Sequence, residues 1–126
     1  MARFRYSMQS ILNIKMKLET QAKQEFSAAR AALDQEEKRL QALKDRKQGY
    51  EQERKRLLAG TLNLRKIEEN KTAILCMEDY IEKQRFNVED AKRNLERARQ
   101  RLEEVIMERK THEKLKEKAF QQFLME

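Results

Sequence analysis

The chain has 126 residues, of which 40% are charged and 6% aromatic, with two glycines and no proline. This balance excludes an ordinary globular domain, which needs turn residues, and favours long helices. The net charge of +7 suits an acidic protein, a nucleic acid or an anionic membrane surface, and a lone cysteine, Cys76, excludes an internal disulfide.

The chain opens with an apolar and basic stretch. Arg3, Arg5, Lys15 and Lys17 meet no carboxylate before Glu19. Phe4, Tyr6, Met8, Ile11, Leu12, Ile14 and Leu18 supply more apolar surface than one partner helix needs. No apolar core of a secretory signal is present, and no run of about 18 apolar residues reads as a membrane span. A cytoplasmic protein is the expectation.

A first helix is predicted over about residues 4–58. Its heptad a positions are Leu12, Glu19, Phe26, Leu33, Leu40, Lys47 and Arg54. The d positions are Met8, Lys15, Ala22, Ala29, Glu36, Leu43, Tyr50 and Leu57. The seam is apolar in its middle and interrupted by charge on both sides. Gly49 falls at an outer position, where it weakens the helix by about 1 kcal/mol relative to Ala.

The turn is predicted at 59–63. Continuing the first register places a at Thr61, whereas the second register run backwards places it at Gly60. A left-handed Gly60 after the helix end would stop the first helix, and Thr61 or Asn63 would cap the second. The alternative is one unbroken helix with a stutter.

The second helix, predicted over about 64–122, carries the clearest signal. Ile67, Ile74, Ile81, Val88, Leu95 and Leu102 recur every seven residues, with Asn70, Met77, Gln84, Ala91, Ala98 and Val105 at d. Such a repeat specifies a coiled-coil seam. A short turn makes the two helices antiparallel. The expected fold is therefore all-α, a single long two-helix antiparallel coiled-coil hairpin over residues 1–126, monomeric on its own.

Little in the sequence points to chemistry. His112 is the sole histidine, so a Ser-His or Cys-His relay has no partnered base. Cys76 has no neighbouring ligand for a metal. Glu36/Glu37, Glu68/Glu69 and Glu103/Glu104 read as solvated pairs, since successive helical residues point about 100° apart. No enzyme, cofactor or metal is expected. Basic residues are interleaved with acidic ones, and Arg54-Lys55-Arg56 is the one longer basic run, so no nucleic-acid partner is expected. An interfacial membrane anchor at the N-terminal segment stays open as an alternative.

Partner contacts are expected in two places. At the pole where the termini meet, Ala119, Phe120, Phe123, Leu124 and Met125 join the N-terminal apolar residues. They either close the coil or insert into another protein. Toward the turn, Lys47 and Arg54 weaken the seam, while Tyr50, Leu57, Leu58, Leu62, Leu64, Met77 and Tyr80 supply apolar surface.

Phe4-Arg5-Tyr6-Ser7-Met8-Gln9-Ser10-Ile11-Leu12-Asn13-Ile14-Lys15 resembles the start of the FliJ family of the bacterial flagellar export apparatus. Glu108-Arg109-Lys110-Thr111-His112-Glu113-Lys114-Leu115 is similar to that family's C-terminal stretch. The resemblance implies a non-enzymatic hairpin like the central stalk of rotary ATPases. It implies an ATPase-facing pole containing Phe4, Met8, Ile11, Leu12, Arg109, Lys110 and Leu115. Tyr50, Leu57, Met77 and Tyr80 are the candidates for a surface facing the export gate. The implied partners are the export ATPase FliI, its regulator FliH, the gate protein FlhA and substrate–chaperone complexes. The implied location is the cytoplasmic face of the inner membrane, reached through those partners. A generic coiled-coil scaffold or an injectisome stalk homologue is the alternative.

Overall fold

A computed structural model describes residues 3–126. It contains two helices packed against each other, α1 (Gln9–Ala59) and α2 (Leu64–Met125), and no strand among the described residues. The unbroken-helix alternative is therefore overturned.

The α1 start differs from the expected residue 4. Residues 3–6 are not helical, Ser7 and Met8 form a turn, and the amide of Gln9 donates to the Tyr6 carbonyl at 3.0 Å. The departure has a packing cause. Phe4 leaves the helical path and places its ring against Phe120 and Phe123, at centroid distances of 5.1 and 5.5 Å. Such edge-on aromatic contacts are favourable beyond simple area burial. At the other end α2 continues to Met125, beyond the expected limit near 122.

The turn also corrects one expectation. No described residue, glycine included, has a positive φ, so Gly60 does not serve as a left-handed stop. The chain instead reverses over Gly60–Asn63, four residues that need no such conformation. Asn63 provides the start of α2. Its Oδ1 accepts from the amide of Lys66 at 3.2 Å, and its carbonyl accepts from Ile67 at 3.0 Å. That cap satisfies donors which the first helical turn leaves free.

The packing falls into two units. The terminal unit combines the chain up to Arg30 with Asn94–Glu126, and the turn unit is Ala31–Arg93. In each, α1 and α2 run antiparallel. Every a and d position of α2 from Ile67 to Phe123 is buried or half-buried, in keeping with the heptad pattern. In α1 the same holds from Leu12 to Tyr50; Arg54 at the next a position is exposed.

Several polar seam residues are matched across the helices. In the terminal unit, Lys15 pairs with Glu108 at 3.0 Å, and Glu19 pairs with Arg109. In the turn unit, Asn70 Nδ2 donates to the Tyr50 carbonyl at 2.9 Å. Gln84 Nε2 donates to the Glu36 carbonyl at 3.0 Å and to its carboxylate at 2.5 Å. Lys47 reaches Glu78 at 3.5 Å. A buried polar group costs stability unless it is bonded, so these pairings favour one register over its neighbours.

Candidate functional site

The terminal unit is built around Leu12, Ala22 and Val105, the last only 1% exposed. The amides of Ile11 and Leu12 both donate to the Met8 carbonyl at 3.1 Å, opening the first turn of α1, and the a-position Leu12 lies in the core. Ile11 is half-buried beside it. Phe4, with Phe120 and Phe123, forms an aromatic cluster that joins the chain start to the end of α2. The apolar residues of this end thus close partly on one another.

Arg109 is also internal in its bonding. It contacts the Glu19 carboxylate across the seam and Glu113 on its own helix at 2.8 Å. Burial pushes the Glu19 carboxyl up, but the hydrogen bond and charge of Arg109, with Lys23 at 3.6 Å, bring it below its ordinary value. The hydrogen bond from Lys15, then its charge, holds Glu108 low as well. His112 lies half-buried at a d position, and its Nδ1 has no hydrogen-bond partner among the described residues.

What the terminal unit presents outward is a different set. Met8, Lys110 and Leu115 are exposed, as are Ile14, Met16, Leu124 and Met125. Met107 is 69% exposed at an f position, the outermost of the heptad. Sequence reasoning missed Met16 and Met107 as surface residues. The available signal was an apolar residue at e or f, where a self-sufficient coil places polar ones.

The turn unit divides its candidates in the same way. Met77 is in the core, with Ile74, Ile81, Val88 and Ala91. Tyr50 and Leu57 are half-buried over the seam, and the backbone of Tyr50 accepts from Asn70. Tyr80, at a g position, is exposed. Leu58, Leu62, Leu64, Leu75 and Phe86 are exposed too. Leu58, Ile67, Ile74 and Leu75 line a shallow groove with Arg54, Asn70, Lys71 and Glu78. Cys76 is exposed, and among the described residues no cluster of His, Cys, Asp and Glu is arranged to hold a metal. Among the described residues no helix is long and apolar enough to cross a membrane. The arrangement offers surfaces for docking, carried on a seam in which Lys15, Glu19, Asn70, Gln84 and Arg109 are matched.

A family model described as flagellar FliJ protein matches residues 4–126. No curated protein and no solved structure matches. With the match spanning both helices and the turn, the chain belongs to the FliJ family and is a component of the flagellar export apparatus.

Proposed function

We propose that the chain is a non-enzymatic stalk of the export apparatus, whose terminal unit enters the ring of the export ATPase FliI and promotes its assembly and hydrolysis. The observation that carries this reading is the outward apolar set of the terminal unit, Met8, Ile14, Met16, Met107 and Leu115. These residues remain exposed although the Phe4 cluster and the Leu12–Val105 core are closed. Apolar surface of this kind, in a unit that also exposes the cations Arg3, Arg5 and Lys110, suits a partner with apolar and acidic loops. Leu12 and Arg109 serve the interface from within, by fixing the two helices that present it.

The turn unit is the part that meets the export gate protein FlhA. Tyr80 and the edges of Tyr50 and Leu57 supply that contact, and Met77 holds the two helices beneath it. FliH and substrate–chaperone complexes bind the same assembly, and the chain reaches the cytoplasmic face of the inner membrane through these partners. The isolated chain is a monomer and has no nucleic-acid partner. Hydrolysis belongs to the ring.

The test is to mix the purified chain with the export ATPase and to follow ring formation and phosphate release. Stimulation is expected, and Met107→Asp with Leu115→Asp should abolish it while leaving helix content by circular dichroism unchanged. Absence of any stimulation by the parent chain overturns the reading.

A further inference from the structure

We propose that the turn between α1 and α2 is a lipid-contacting element that docks on an anionic membrane surface. From Arg54 to Ile67 the sequence holds five cations, Arg54, Lys55, Arg56, Arg65 and Lys66, and no carboxylate. Carboxylates make up 22 of the 126 residues and are dense on both sides of this stretch. Within it, every residue from Leu58 to Lys66 is exposed, including Leu58, Leu62 and Leu64. Leu62 and Leu64 are 60% and 76% exposed, so the seam makes little use of them.

The charge pattern selects the occupant. Arg65 is partnered by Glu69 at 3.3 Å, while Arg54, Lys55, Arg56 and Lys66 make no ion pair among the described residues. A second copy of the chain would bring like charges together. An acidic protein would satisfy the cations, but it would need a socket shaped to leucines that protrude from a turn. A lipid surface deforms around such leucines and supplies phosphate to the cations. The backbone of Gly60–Thr61–Leu62 would stay at headgroup depth, where water and phosphate reach it, while the leucines reach the acyl boundary. The long Lys and Arg side chains extend back toward the phosphates.

The role proposed for the terminal unit is independent of this element, and direct lipid contact adds to the membrane attachment made through partners. The experiment floats the full chain with vesicles of phosphatidylcholine alone or mixed with phosphatidylglycerol. Flotation is expected with the mixed vesicles and not with phosphatidylcholine alone. Leu62→Glu with Leu64→Glu should weaken binding about tenfold or more. Replacing Arg54, Lys55 and Arg56 by Gln should weaken it roughly a hundredfold. Arg3→Gln with Arg5→Gln, in the terminal unit, should float like the parent. The chain has no tryptophan, so Leu62→Trp gives a single reporter whose emission should shift to the blue on mixed vesicles. The proposal is overturned by equal flotation with both vesicles, by no flotation with either, or by dependence on Arg3 and Arg5 instead of the turn. Capture of the turn by an acidic peptide without vesicle binding overturns it in favour of a protein partner.

Discussion

The terminal and turn units bury opposite helices. In the terminal unit the buried residues of α1 are Leu12, Glu19 and Ala22, against Val105 alone from α2. In the turn unit Ile74, Met77, Ile81, Val88, Ala91, Asn70 and Gln84 are buried, all from α2. A two-helix coil has one interface, so a side chain is shielded only where its partner is long enough to overhang it. In the turn unit α1 supplies those covers, with Leu40, Leu43, Lys47 and Tyr50 half-buried. In the terminal unit α2 supplies them, with Leu102, Arg109, His112, Lys116 and Phe123. Long polar side chains can cover apolar surface with their stems, which explains how Lys and Arg occupy a seam.

The two units also differ in what satisfies their polar seam. The terminal unit uses charge on charge, whereas the turn unit relies mainly on side-chain amides reaching backbone carbonyls. Charge pairs respond to pH and salt; amide–carbonyl bonds do not.

The largest expected effect breaks the comparison at its cores. Leu12→Ala and Met77→Ala should each cost about 2–4 kcal/mol, read by denaturant unfolding. Hydrogen exchange should show the first loosening the terminal unit and the second the turn unit. Equal loosening of both units by either variant would mean that they do not behave separately.

A smaller effect sharpens the electrostatic difference. The carboxyls held low by partners, Glu19, Glu96 and Glu108, all lie in the terminal unit. Arg99, through its hydrogen bond and charge, is the partner that lowers Glu96. A depressed folded-state value contributes stability that is present above the ordinary 4.5 and is lost as the pH falls through the depressed value. Acid should therefore raise exchange in the terminal unit before the turn unit. Glu19→Gln should destabilise by roughly 1 kcal/mol at neutral pH, and the deficit should shrink in acid. A variant deficit that persists unchanged in acid would contradict this account.

The smallest effect is a gain in the turn unit. A Cβ added at Gly49 meets nothing within 4 Å, and its φ is not positive. Gly49→Ala should stabilise by about 0.8 kcal/mol by chemical unfolding.

Much of the fold was legible in the residues themselves. The heptad of α2 announces its seam, polar members included, because burial repeats with the period of the helix. Which partner each polar residue takes was not legible, since Glu19–Arg109 and Gln84–Glu36 depend on the register between two helices. Gly60 misled, because a glycine permits a left-handed stop without requiring one, and Asn63 does the capping. Phe4 misled in the other direction, since an aromatic start reads as helix until the rings of Phe120 and Phe123 draw it away. For the docking surfaces, sequence spacing separates seam from exterior but does not say which exterior leucines are needed. Leu12 and Arg109 are interface candidates through the resemblance and Met77 through its place near the turn; Leu12 and Met77 are buried and Arg109 is half-buried.

The amides of Asn70 and Gln84 carry a further consequence. Each grips a main-chain oxygen, of Tyr50 and Glu36 respectively, and every amino acid carries such an oxygen. Part of the alignment of the helices in that stretch is thus carried by α2 alone, with the side chains of Glu36 and Lys47 adding to it from α1. The facing helix is left free to change its outward residues, and to be retailored for a new binding partner, without the coil slipping.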